Sequence, residues 1–113
     1  MSEVASSKRV LAYVPDLMDR SRLSGLDEIE LRFVDSPGEL ALQSAGWSAD
    51  VVVVDLARPG AVEALAAGGI AGRLVGFGSH VDTATLDAAR AAGCHEVLPR
   101  SRFFAHLREI LAG

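Results

Sequence analysis

The segment Asp50-Val51-Val52-Val53-Val54-Asp55 limits the possible folds more than any other part of the chain. Four consecutive valines leave a strand with no polar face, so both sides must be covered, as at the centre of a parallel sheet. Parallel neighbours need crossover connections, usually helices, and these wind in the right-handed sense. The flanking sequence supplies such units. Val10–Val14 reads as a first strand, and Asp16–Leu26 as a helix exposing Asp19, Arg20 and Arg22. Ile29–Val34 alternates with period two, as expected of an edge strand with one wet face. Ser36-Pro37-Gly38-Glu39 is a helix start, with Ser as N-cap, Pro at the first helical position and Glu closing a capping box. The helix it opens ends near Gly46.

Beyond the valines, Gly60–Ala67 reads as a helix closed by Gly68-Gly69, and Leu74–Gly78 as a strand. Thr83–Ala92 is a helix stopped by Gly93, and Val97–Pro99 is the last strand. Ser101 then caps a helix whose Phe103, Phe104, Leu107, Ile110 and Leu111 share one face. Five alternations of strand and helix predict an α/β, flavodoxin-like, doubly wound parallel sheet with helices on both faces. The commonest order for five strands is 2-1-3-4-5.

Composition narrows the class. At 113 residues the chain is about one domain on a prior of ~150 residues per domain. Its 50% hydrophobic content argues against disorder, and its net charge of −4 argues against a broad grip on nucleic acid. The valine run is too short to cross a bilayer, and MSEVASSKR has no apolar core of an export signal. A lone Cys94 fits a reducing compartment, so a cytoplasmic location is expected, with no membrane or nucleic-acid partner. Residues 1–7 read as a flexible tail and 8–113 as a single domain.

In a doubly wound sheet, ligands bind beyond the carboxyl ends of the strands, where strand order reverses. That edge receives Pro15 and Asp16 from strand one, Asp55 from strand three, Gly78, Ser79 and His80 from strand four, and Arg100 from strand five. No metal-ligand spacing surrounds Cys94 and His95, and Gly76-Phe77-Gly78 lacks the context of a phosphate loop.

Asp50–Leu56, followed by Ala88-Ala89-Arg90-Ala91-Ala92-Gly93 and Val97-Leu98, resembles the CheY-like receiver domain of bacterial two-component response regulators. The resemblance spans nearly the whole chain and makes 8–113 a receiver-like domain. It places Asp55 at the phosphoacceptor position. It also implies a Mg²⁺-binding acid pair at Val14 and Pro15, a switch Ser/Thr at Gly78 with Ser79 adjacent, and a lysine at Arg100. None of these last positions matches, and the only lysine, Lys8, precedes strand one.

Phosphoryl transfer to an aspartate needs its charge neutralised by a divalent ion and a lysine. Without the acid pair, Mg²⁺ affinity should be poor, so no cofactor is expected. Arg100 presents a planar fork suited to a carboxylate, which predicts a standing Asp55–Arg100 ion pair. The expected function is a stand-alone pseudo-receiver, not an enzyme, acting through protein–protein contacts with an unidentified partner or as a homodimer. In receivers such contacts commonly use the fourth helix, fifth strand and fifth helix, which here implies Ala91, Cys94, His95, Glu96, Phe103 and His106. A phosphorylatable regulator using Asp55, with Asp16 or Asp19 rescuing metal binding, is the alternative. A small-anion binder or small enzyme using Asp55, Ser79, His80 and Arg100 is a third.

Overall fold

The structure, a computed structural model, describes residues 7–113. The tail expected over 1–7 therefore lies, except for Ser7, outside the described residues. Five strands, β1 (Lys8–Tyr13), β2 (Ile29–Phe33), β3 (Val51–Asp55), β4 (Arg73–Gly78) and β5 (Glu96–Pro99), form one parallel sheet in the order β2-β1-β3-β4-β5. The helices are α1 (Leu17–Ser24), α2 (Leu40–Trp47), α3 (Ala61–Ala67), α4 (Thr83–Ala91), α5 (Arg100–Ala105) and α6 (Leu107–Ala112). This is the flavodoxin-like arrangement that the alternation predicts.

The valines explain the layering. Successive side chains of a strand point to opposite faces, so β3 serves two cores at once. Val51 and Val53 join Val10, Ala12, Val14, Val75 and Phe77 beneath Leu23 of α1, Phe103 of α5 and Leu111 of α6. Val52 and Val54 join Leu11, Tyr13 and Leu74 beneath Leu40 of α2, Leu65 of α3 and Leu86 of α4. All four valines are buried, and burying such a side chain contributes roughly 1.5–3 kcal/mol relative to leaving it in water. The same phase puts Asp55, two residues after Val53, on the α1 and α5 side. Leu56 turns to the other side, where it packs on Gly76. A Cβ on Gly76 would lie 2.9 Å from Leu56 Cδ1, so β4 needs glycine there to seat the residue after Asp55.

Local signals are met with small changes. The capping box over Ser36–Glu39 becomes a single 3₁₀ turn, Pro37–Glu39, in which the Ser36 hydroxyl donates to Glu39 Oε2 at 3.0 Å. Gly46 does not end α2, which runs on to Trp47 and closes with Ser48 in the left-handed region (φ 56°). Asp82 caps α4, its carboxylate accepting from the Thr85 amide at 3.2 Å. The single C-terminal helix expected from Ser101 starts at Arg100 and breaks at His106 (φ −130°, ψ 36°). Its two segments separately seat Phe103 and Leu111 in the core.

Candidate functional site

The carboxyl edge of β1, β3, β4 and β5 gathers three carboxylates and two guanidiniums. Asp55 ends β3 and is 4% exposed. Its Oδ1 accepts from the Ala57 amide at 3.1 Å, and its Oδ2 from Arg58 Nε at 3.2 Å. Arg58 follows Asp55 by three residues in the turn leading to α3, so this pairing is local. Asp19 of α1 is 1% exposed and faces Arg100, the first residue of α5. Arg100 donates to both Asp19 oxygens, through NH1 to Oδ2 at 2.9 Å and NH2 to Oδ1 at 2.5 Å. This is the two-pronged geometry for which an arginine fork is suited.

The expected Asp55–Arg100 ion pair is therefore not formed. Asp19 lies one helical turn before the buried Leu23. That places it on the inward stripe of α1, where its carboxylate meets Arg100 before Asp55 can. Asp55 is meanwhile covered by Arg58. The expectation that α1 exposes Asp19 and Arg20 fails for the same reason. Arg20 turns back so that its Nε donates to the Val14 carbonyl at 2.7 Å, and its guanidinium covers the Phe33 ring. Only Arg22 of the three is exposed.

Asp16 stands between the two pairs. It caps α1 by accepting the Asp19 amide on Oδ1 at 3.0 Å. That hydrogen bond holds its carboxyl below the usual carboxylate range; partial burial opposes the shift, while the charges of Arg100 and Arg58 add to it. The Arg100 guanidinium is pushed up from its usual value, first by the Asp19 hydrogen bond, with the charges of Asp19, Asp55 and Asp16 contributing. Arg100 thus feels Asp55 across the mouth without bonding to it.

The other residues expected at this edge are present but less engaged. Pro15 is half-buried, and buried Gly78 ends β4 opposite Pro99. Ser79 is exposed, its Oγ accepting from the Val81 amide at a long 3.4 Å. His80 is exposed in the β4–α4 loop, and no hydrogen bond joins it to Ser79 among the described residues. The pair has no serine–histidine geometry, which needs the hydroxyl bonded to the imidazole. Arg58 is the site residue that sequence reasoning missed, and Asp19, expected there only as an exposed residue able to rescue metal binding, is instead the buried partner of Arg100. Each had a signal: Asp19 shares a helical stripe with Leu23, and Arg58 stands three residues after an acid at a strand end.

A Mg²⁺ ion of the receiver type needs several oxygen donors open at one point. Val14 and Pro15 offer no carboxylate, Asp16 caps its helix, both Asp19 oxygens face Arg100, and both Asp55 oxygens accept hydrogen bonds. Among the described residues no group of three or more His, Cys, Asp or Glu side chains could hold a metal.

The surface implied by the receiver resemblance is only partly a surface. Ala91, His95 and His106 are exposed, and Glu96 is half-buried and paired with Arg73. Phe103 is fully buried because its ring stacks on Phe77 at 4.8 Å between centroids. Cys94 is buried because it closes the α4–β5 turn inside the core that holds Val52 and Val54. Its Sγ lies 3.3 Å from the Glu96 carbonyl. Its neighbour His95 accepts the Leu74 amide on Nδ1 at 2.9 Å, completing the end of the β4 ladder. Glu96 and His106 share a shallow cavity of about 260 Å³ with Arg102 between β5 and α6.

Burial pushes the Cys94 thiol up to about 11. The thiolate absorbance of the folded chain should therefore appear near that pH instead of near 9, with slow alkylation at pH 8. Because the folded value is raised, its contribution to stability is full below the ordinary thiol range and is lost as pH climbs through about 11. Cys94→Ala should remove that slope. Rapid alkylation of the native chain at pH 8 would contradict the burial.

No protein-family model matches this sequence, and no curated protein matches it. Among solved structures the fold recurs in receiver-type proteins. A response regulator from Hahella chejuensis superposes with a TM-score of 0.78 at 22% identity, covering 94% of this chain and 93% of that one. The phosphorylated cyanobacterial phytochrome response regulator RcpA gives 0.70 at 15% identity, covering 94% and 89%. A CheY-like response regulator from Mesorhizobium loti gives 0.64 at 18%, covering 95% and 98%. At these identities the likeness establishes the fold. Among the described residues no helix is long and apolar enough to cross a membrane.

Proposed function

We propose that this chain is a receiver-like regulatory module of the cytoplasm that acts through protein–protein contacts, without conventional Mg²⁺-dependent aspartyl phosphorylation and without an enzymatic activity of its own. The fold shared with response regulators supports the signalling role. One observation carries the rest: the acid at the phosphoacceptor position already accepts two hydrogen bonds, while the basic residue in the lysine position is committed to a different acid. Phosphoryl transfer to Asp55 would have to strip away Arg58, and among the described residues no group of three or more His, Cys, Asp or Glu side chains could hold a metal in its place. Self-association through the β5–α6 side, around His95, Glu96 and His106, is one form such contacts can take.

The test is incubation of the full chain with a small phosphodonor and Mg²⁺, followed by intact-mass measurement. No phosphoryl adduct is expected, either on the natural chain or on Asp55→Asn. An adduct on the natural chain that disappears in Asp55→Asn would establish the alternative, a working phosphoacceptor.

A further inference from the structure

Between α1 and α5, Arg22, Arg100, Ser101, Phe104 and Ala105 line an open cavity of about 490 Å³. The half-buried Phe104 ring organises it. Arg22 stands 5.2 Å from the ring centroid and Arg100 5.0 Å, each held against the aromatic surface. Exposed Ser101 adds a hydroxyl, and no carboxylate lines the cavity. The two charges are not equivalent. Arg100 is answered by Asp19, whereas Arg22 has no acidic partner among the described residues. On a chain of net charge −4, this leaves a cavity with one uncompensated positive charge.

One such charge, with an arginine fork and a hydroxyl, matches a single carboxylate better than a phosphate dianion. A free monocarboxylate gains little from one exposed ion pair, so the carboxylate must arrive on a chain that adds contacts. Met18, 72% exposed and one helical turn before Arg22, offers an apolar contact beside the cavity. We infer that this cavity grips one glutamate or aspartate side chain on an acidic segment of a partner protein. The inference rests on reading the chain as a contact module. Phosphorylation of Asp55 would overturn that reading and leave the following test untouched, whereas a silent titration here would leave that reading standing.

The test is an amide NMR titration of the full chain with a blocked, glutamate-rich peptide and its glutamine counterpart. The glutamate peptide should shift the Arg22, Ser101, Phe104 and Ala105 amides saturably, the glutamine peptide should not, and added salt should weaken the effect. Arg22→Gln should weaken binding by about three- to fivefold. Arg32→Gln should leave it unchanged, because Arg32 lies over Trp47 on the β2 edge, outside this cavity. Absent shifts, equal shifts with the glutamine peptide, or equal loss in Arg32→Gln would overturn the assignment. Tighter binding of a phosphoserine peptide would make it a phosphate site instead. Concentration-dependent shifts of the same amides without peptide, abolished by Arg22→Gln, would give the cavity to a second copy of this chain.

Discussion

Replacing Arg100 with alanine is expected to lower the unfolding free energy by about 3 kcal/mol, although nearly half of the Arg100 side chain faces water. The cost arises on the other partner. Asp19 is 1% exposed, and Arg100 supplies the hydrogen bonds to both of its oxygens. Without the guanidinium, a buried carboxylate is left uncompensated, which costs about 3–5 kcal/mol for a fully dry pair. The exposure of Arg100 brings the expectation to the lower end of that range. The reverse change should be milder. Asp19→Asn releases a guanidinium that can turn to solvent and removes the charge needing burial, so about 1 kcal/mol is expected. Arg100→Lys should restore only part of the loss, because an ammonium supplies the charge without the fork. Urea denaturation of the three variants measures this order directly. Equal losses for Asp19→Asn and Arg100→Ala would show that the asymmetry of burial has no energetic weight.

The second large effect is expected at Phe103. The ring is fully buried, stacked on Phe77 at 4.8 Å with an interplanar angle of 9°, and edge-on to Phe104 at 4.9 Å. Truncation to alanine removes this packing and leaves a cavity where α5 rests on β4, at a cost of about 3–5 kcal/mol. A domain of this size has only about 5–15 kcal/mol to lose. Phe104→Ala should cost clearly less, because its ring is half-buried and its outer surface is covered by Arg22 and Arg100. If Phe103 served a contact surface, its alanine variant would keep its denaturation midpoint. The packing predicts a large fall.

These two residues also mark how far the amino-acid sequence could be read. The layers were legible because Val51–Val54 have no polar face, and because Gly68 and Gly93 punctuate the helices by local chemistry. The strand-end position of Asp55 followed from the same periodicity. Pairing across the mouth did not follow. Arg100 is 81 residues from Asp19 and shares its edge with three acids, Asp16, Asp19 and Asp55, and its choice depends on how deeply α1 sits against the sheet. A helix wheel anchored on Leu23 puts Asp19 on the same inward stripe, but a carboxylate reads as solvent-facing when no local residue offers to balance its charge. Phe103 and Phe104 posed the same difficulty. Adjacent aromatics must diverge, and only the position of Phe77 on β4 decides which one turns inward. Cys94 was placed outward by the receiver resemblance, but the tight α4–β5 turn folds it under α4.

At the centre of this account are two separate ion pairs, Asp55 with Arg58 and Asp19 with Arg100, at the edge where receivers place a single switchable cluster. Double-mutant cycles separate them most directly, using Asp19→Asn with Arg100→Gln and Asp55→Asn with Arg100→Gln. A coupling of about 2 kcal/mol is expected for the first cycle and less than about 0.5 kcal/mol for the second. A larger coupling between Asp55 and Arg100 than between Asp19 and Arg100 would contradict the arrangement, and with it the case for a mouth that does not switch.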